Sequence, residues 1–139
     1  FRYTAASFGL YGYELDPTEL SAPERRRLSE FSRQYREEEA FVLKGDFYRL
    51  IGHGSGNFAA YLQVTKDKSR ALFTLIQFLF VEEERSKIVR MRGLDTRARY
   101  RCSLDGKIYS GSVLMNLGLR IGDMEHQSGK AVRILFERV

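Results

Sequence analysis

The sequence of 139 residues has no tryptophan, one cysteine, two prolines and two histidines. The single cysteine, Cys102, excludes a disulfide within the chain and fits a reducing compartment, so we expect a cytoplasmic location. No apolar run reaches the roughly 20 residues that a membrane-spanning helix needs, so we expect no membrane partner. The chain opens at Phe1 without methionine or a leader signature, which we interpret as a fragment of a longer protein.

Residues that bind metals or act as nucleophiles are equally scarce. His53, His126 and Cys102 are isolated from one another, whereas a metal site needs ligands clustered at regular spacings. We therefore predict no metal site and no cofactor. Cys102 alternates with polar residues on a predicted strand, which favours a small buried hydrophobic residue over a nucleophile.

Carboxylates can act as general acids and bases, as in glycoside hydrolysis, where two of them lie about 5 to 10 Å apart across the scissile bond. The candidates here are Glu14, Asp16, Asp95, Asp105 and Asp123. Each is explained more simply as a helix cap, a turn residue or a loop residue. Nothing in their spacing predicts that two of them lie close together in the fold. We predict no catalytic and no substrate-binding residue in this chain.

A glycine-rich stretch, with Gly52, Gly54 and Gly56 at alternate positions, superficially resembles a phosphate-binding loop. A dinucleotide site needs the third glycine three residues after the second and a helix behind it. Here a strand pattern follows instead. The spacing therefore predicts a hairpin loop.

The net charge of +5 is the one compositional hint of a nucleic-acid partner. The arginines are spread along the chain, and the cluster Arg25 to Arg27 shares its predicted helix with Glu37 to Glu39. This mixture indicates a solvated helix face, so we predict no nucleic-acid partner and keep a basic nucleic-acid-binding β module as a minor alternative. A stand-alone carbohydrate-binding β-sandwich is the other alternative, and the lack of tryptophan disfavours it.

One long helix is predicted from capping and periodicity. Ser21 and Glu24 form a capping box around Pro23, and apolar residues at helical spacing continue from Leu28 to about Leu43. Gly45 is a natural stop. The first 16 residues are apolar and aromatic, and we interpret them as a buried strand followed by an irregular turn.

The stretch from Asn57 to Phe80 predicts a hairpin in which Leu62 lies opposite Phe73 and Val64 opposite Ala71. Its second strand has apolar side chains at both odd and even positions, so both of its faces must be covered. About eight short strands predict a mainly β fold, an antiparallel β-sandwich preceded by one α-helix. We expect the opposing sheet to contain strands at 99–104, with Leu104 pointing inward, and at 130–139, and we expect the helix to cover the other face.

Several motifs together resemble the carboxyl-terminal end of family 36 glycoside hydrolases, the α-galactosidases or melibiases. The resemblance is collinear over nearly the whole chain and rests on residues 9–16, 45–50, 56–61, 64–68, 93–95, 109–111, 114–119 and 122–123. It implies that residues 1–44 are the last strand and helix of a (β/α)8 barrel and that residues 45–139 are a carboxyl-terminal antiparallel β-domain.

The resemblance also implies a function. Family members are retaining glycosidases with two catalytic aspartates, and both lie in barrel segments that precede the region represented here. We therefore expect a non-catalytic, supporting domain, inactive alone, of an enzyme that removes terminal α-linked galactose. Its partner would be the catalytic barrel of the parent, α-galactosides would bind only through the parent, and we expect the parent to be a homo-oligomer.

Overall fold

The structure is a computed structural model that describes residues 2–52, 54, 56–79, 81, 86–122 and 129–139. A short 3-10 helix spans Pro17–Glu19. Among the described residues the α-helices are α1 (Arg2–Ala6), α2 (Ala22–Lys44) and α3 (Gly111–Asn116). The strands in the same described ranges are β1 (Asp46–Ile51), β2 (Phe58–Val64), β3 (Arg70–Gln77), β4 (Lys87–Val89), β5 (Arg99–Cys102), β6 (Ile108–Ser110), β7 (Leu119–Ile121) and β8 (Lys130–Arg138).

The central hairpin has the predicted register. β2 and β3 are antiparallel, and the pairs Leu62–Phe73 and Val64–Ala71 lie opposite one another. Every residue of β3 after Arg70 is buried, because apolar side chains on both faces are covered by separate layers. The prediction of a two-sided, doubly covered strand is confirmed.

Six strands form one antiparallel sheet in the order β1-β2-β3-β8-β5-β6, and β4 and β7 form a separate pair. The mainly β, antiparallel fold is confirmed, but the expected composition of the opposing layer is wrong. β5 and β8 belong to the same sheet as the hairpin, since β8 pairs with β3 along its length and with β5 on its other side. Hydrophobic alternation marks the buried face of a strand without specifying its neighbour.

The layer that covers the inner face of this sheet consists of β4, β7, α3 and the connection from β4 to β5. Its buried residues, among them Met91, Leu94 and Leu114, pack against Phe73, Phe136 and other residues of the large sheet to form the core. Burying one such large apolar side chain contributes about 1.5 to 3 kcal/mol. The core therefore lies between the large sheet and this smaller layer.

α2 covers the outer face, as expected, and begins at the predicted capping box: the Ser21 backbone N–H donates to the Glu24 carboxylate at 2.9 Å. The start of the chain differs from the prediction, because Arg2–Ala6 is helix α1 and not a buried strand. The helical turn, closed by the Ser7 N–H donating to the Tyr3 carbonyl at 2.9 Å, places both residues on the buried side.

Two features near β5 also bear on the predictions. Tyr100 and Cys102 point inward and are fully buried, but Leu104 lies beyond the end of the strand and is half exposed, so its predicted inward position is wrong. The strand ends early because the Gly106 N–H donates to the Cys102 carbonyl and closes the turn.

None of the helices among the described residues is long and apolar enough to cross a membrane.

Candidate functional site: the junction between the long helix and the sheet

The junction between α2 and the outer face of the large sheet is built around a partly buried ion pair. An Arg133 Nη1 atom on β8 lies 2.6 Å from Glu38 Oε2 on α2, and the two side chains are only 12 % and 14 % exposed. Arg133 stands opposite Thr74 near the middle of the sheet. Removing two charges from water is costly unless each is well compensated. Here the compensation is uneven, because Arg133 Nε is buried without a hydrogen-bond partner among the described residues, whereas Glu38 has several donors.

Both oxygens of Glu38 have further donors. Gln34 Nε2 donates to Oε1 at 3.0 Å, and the Tyr3 hydroxyl donates to Oε2 at 3.3 Å. The Arg133 guanidinium also lies 5.5 Å from the centre of the Tyr3 ring, within cation–π range. Burial, followed by the nearby Glu38 carboxylate, raises the pKa of Tyr3 to about 12, so the phenol stays a donor at neutral pH.

Aromatic rings fix α1 and the segment after it to the same junction. Tyr3 stacks on Phe31 of α2 with ring centres 4.6 Å apart. The ring centre of Phe8 lies 4.7 Å from that of Tyr61 and 6.1 Å from that of Phe47, on the outer face of β1 and β2. The residues before α2 are therefore packed against both the helix and the sheet.

The next segment lies along the amino-terminal half of α2 and is held by tyrosine hydroxyls. Tyr35 donates to the Gly9 carbonyl at 2.8 Å, and Tyr13 donates to the Leu28 carbonyl at 3.1 Å. No backbone–backbone hydrogen bond joins residues 9–15 to any other part of the chain that the structure describes. Leu10, 88 % exposed, and Leu15 present apolar surface outward from this segment.

The helix passes into the sheet through Gly45 without a linker. α2 ends at Lys44 and β1 begins at Asp46. A Cβ atom on Gly45 would lie 2.5 Å from the Phe41 carbonyl oxygen and 2.8 Å from that of Val64. Since real Cβ atoms do not approach oxygen so closely, this position requires glycine, and Phe41 just before it is fully buried.

A second set of contacts, around Tyr100, Asp95 and Gly111, lies on the inner side of the sheet. The Tyr100 hydroxyl donates to the Lys68 carbonyl at 2.9 Å and accepts from the Asp95 N–H at 3.1 Å. The chain at Gly111 passes so close to Asp95 that a Cβ there would lie 2.0 Å from its carbonyl oxygen. These residues connect the hairpin turn to the smaller layer.

The candidate carboxylates from the sequence occupy separate structural positions. Asp16 accepts from the Thr18 hydroxyl at 2.7 Å and from the Thr18 N–H at 2.8 Å. Asp95 accepts from the Arg97 N–H at 3.0 Å, and Asp105 accepts from the Tyr109 hydroxyl at 2.6 Å. The pKa of each is lowered by these hydrogen bonds. Glu14 is exposed, and Asp123 lies outside the described residues.

The remaining sequence candidates are equally dispersed. Cys102 is buried, and its burial raises the pKa of the thiol. The glycine-rich loop joins the antiparallel strands β1 and β2, which confirms the hairpin. His53 and His126 lie outside the described residues, and within the described ranges no group of three or more histidine, cysteine or acidic side chains is arranged to hold a metal.

Sequence reasoning missed the residues that form the junction. The charges at 37–39 predict a solvated face, and the structure instead packs the Glu38 side chain, only 14 % exposed, against Arg133. A signal was available: Glu38 follows Phe31 and Tyr35 at helical spacing on the apolar stripe, and Arg133 occupies a strand position between Ala131 and Leu135. Opposite charges on two otherwise apolar faces predict a buried pair.

Comparison with known proteins agrees with this architecture of a two-layer β domain joined directly to a preceding helix. The family described as "Glycosyl hydrolase family 36 C-terminal domain" matches residues 58–134. The chain belongs to this family, and the resemblance stated from the motifs is confirmed.

Two curated relatives illustrate the match. The chain is 30 % identical over 118 residues to the bifunctional alpha-galactosidase/sucrose kinase AgaSK of Mediterraneibacter gnavus, covering 85 % of this chain and 13 % of that protein. It is 33 % identical over 116 residues to the alpha-galactosidase AgaA of Geobacillus stearothermophilus, covering 84 % of this chain and 16 % of that protein. The chain thus spans about a sixth or less of the length of these relatives.

The fold agrees as well. The crystal structure of the GH36 alpha-galactosidase AgaA from Geobacillus stearothermophilus superimposes with a TM-score of 0.90 at 29 % identity, over 99 % of this chain and 19 % of that one. The galactosidase domain of AgaSK gives a TM-score of 0.89 at 28 % identity, with the same coverage. Both α2 and the β-domain are therefore included in the shared fold.

Proposed function

We propose that the chain is a non-catalytic carboxyl-terminal domain that supports the catalytic barrel of an α-galactosidase-like enzyme. In this assignment residues 1–44 are the end of the barrel and residues 45–139 are the β-domain. The parent would remove terminal α-linked galactose by chemistry located in its other segments. We further propose that it acts in the cytoplasm as a homo-oligomer.

The observation that carries this proposal is the partly buried junction formed by Glu38, Arg133 and Tyr3. A long helix that ends without a linker in a sheet, and shares a partly buried ion pair with that sheet, is held in one orientation. Such a junction suits a domain whose task is to cover and fix the last helix of a barrel. The exposed apolar side chains of Leu10 and Leu15 support the same assignment, because neighbouring barrel elements would cover them.

The test compares three preparations on p-nitrophenyl α-galactoside. We expect the chain alone to release nitrophenol no faster than a buffer blank, and the complete parent to be active. A parent that lacks residues 45–139 should lose thermal stability and activity together. Turnover by the chain alone, from a preparation free of host enzyme, would refute the non-catalytic role; an unchanged, fully active truncated parent would refute the supporting role.

A further inference from the structure

A groove of about 810 Å3 lies between β1, β4 and the end of α3. Val89 and Met91 in its wall belong to the smaller layer that packs on the inner face of the large sheet. α2 packs on the outer face. The groove is therefore on the other side of the sheet from the junction that we assign to the barrel.

Apolar side chains form much of the lining of this groove, and two of them are well exposed. Ile88 and Leu117 are 61 % and 69 % exposed, and Leu50, Ile51 and Met115 are partly buried beside them. Large apolar side chains that lie together on a surface, and not singly, are typical of an interaction site.

Among the described residues, the charged side chains that line the groove are all positive. Arg90 and Arg92 lie on its wall, none of the described acidic residues lines it, and neither arginine forms an ion pair with a described residue. Arg120 stands opposite Ile88 across the β4–β7 pair and adds a third cation nearby. A ligand complementary to this surface combines apolar groups with negative charge.

Two strand edges border the same groove. β1 is the outermost strand of the large sheet, and β4 pairs only with β7 among the described strands. The outward N–H and C=O groups of such edges are available to an added extended chain. Peptides that bind in this way gain affinity from main-chain hydrogen bonds and specificity from alternate side chains that enter neighbouring pockets.

From these observations we propose that the groove binds an extended peptide segment with alternating apolar and acidic side chains. The acidic side chains, on one face of the peptide, pair with Arg90 and Arg92. The apolar side chains, on its other face, contact Leu50, Ile51 and Leu117, and the peptide backbone pairs with a strand edge. This interaction goes beyond the supporting role, since it uses the face of the sheet that α2 leaves open.

The test uses the whole chain, labelled with 15N, and a synthetic peptide of sequence Glu-Leu-Asp-Ile-Glu-Leu-Asp-Ile with blocked ends. We expect shifts of backbone amides confined to residues 50–51, 88–92 and 116–117, and no such shifts with a counterpart in which lysine replaces each acidic residue. Binding should weaken as salt is raised, because dissolved ions screen the attraction between exposed charges; the Debye length is about 8 Å at 0.15 M ionic strength and shortens as salt is added.

Charge reversal separates the groove from the overall charge of the protein. Arg90→Glu combined with Arg92→Glu should weaken peptide binding about tenfold or more, which corresponds to 1.4 kcal/mol. Arg26→Glu combined with Arg27→Glu, on the exposed face of α2, makes the same change of charge and should leave affinity within about twofold. All four side chains are exposed, so both variants should keep the circular dichroism spectrum of the wild-type chain.

Several results would overturn the proposal. One is the absence of localised shifts at millimolar peptide, and another is equal binding of the lysine counterpart. An equal loss of affinity in the α2 control would reduce the effect to net charge. Self-association in analytical ultracentrifugation, with the groove amides shifting on dilution, would assign the groove to a second copy of the chain instead.

Discussion

The ion pair between Glu38 and Arg133 gives a prediction about stability. Arg133→Met removes the guanidinium and leaves the Glu38 carboxylate, 14 % exposed, without its main counter-charge. A buried charge that loses its partner destabilises a protein by about 3 to 5 kcal/mol. The hydrogen bonds from Gln34 and Tyr3 remain, so we expect a loss near the lower end of this range. Since domains are stable by only about 5 to 15 kcal/mol, this is a large fraction of the total.

Replacing both partners should cost far less than replacing one. Glu38→Leu combined with Arg133→Met exchanges two charges for apolar side chains of similar volume, a change that is often neutral or stabilising. The same change leaves the Gln34 amide and the Tyr3 hydroxyl without their Glu38 acceptor. We therefore expect the double variant to recover part of the stability lost in Arg133→Met. The coupling energy of the double-mutant cycle should be about 2 kcal/mol or more.

The assay is urea unfolding followed by far-ultraviolet circular dichroism, with Glu137→Gln as the matched control. This substitution breaks the exposed Arg70–Glu137 pair, which is 3.6 Å long with side chains 41 % and 54 % exposed. An exposed pair contributes less than about 1 kcal/mol. If Arg133→Met costs no more than Glu137→Gln, or if the double variant loses the sum of the single losses, the pair does not hold the helix to the sheet.

Three further predictions use the same unfolding assay or a chemical probe. Gly111→Ala should destabilise the chain by about 1 to 3 kcal/mol or more, because the new methyl group would overlap the Asp95 carbonyl. A loss of less than about 0.5 kcal/mol, which is typical of a surface substitution, would contradict this prediction. Hydrogen bonds from Thr65 and Ser69 lower the pKa of Asp67 from 3.8 to about 2. The contribution of the ionised Asp67 carboxylate to folding stability is therefore present above about pH 4 and is lost as pH falls toward 2. Asp67→Asn should reduce this pH dependence of stability, and an Asp67→Asn variant with the same pH profile as the wild-type chain would refute the assignment. Cys102 should react with a thiol reagent only in urea, since it is buried and the pKa of its thiol is raised; rapid modification of the folded chain would refute the assignment.

The local parts of the fold could be predicted because each rests on neighbouring residues. The capping box at Ser21 fixed the start of α2, and the register of the central hairpin followed from the requirement that Leu62 meet Phe73. Both are decided by side chains close in sequence or across one turn.

The arrangement of the strands could not be predicted in the same way. β8 lies between β3 and β5, although it is the last strand of the chain. Its alternating pattern suits a partner in the same sheet as well as one in an opposing sheet, and only the packing of all layers together decides between them. α1 was missed for a related reason, since Tyr3 is held by Phe31 and Arg133, both remote in sequence.

The candidate junction was missed because charge was judged from composition. Three consecutive glutamates at positions 37–39 indicate a solvated face, and two of the three side chains are exposed. The third, Glu38, is turned toward β8, where a single arginine meets it. Sequence spacing places Glu38 on the stripe but does not specify what lies opposite.

The direct passage from α2 to β1 at Gly45 affects how this part of the protein can be exchanged between relatives. Gene fusions and chimeras are ordinarily cut at exposed linkers where few contacts cross. A cut here would separate Phe41 and Glu38 from the strands that bury them. The exchangeable unit therefore includes both α2 and the residues that pack beside it, so a functional chimera should carry its breakpoint before α1 and not at the start of the sheet.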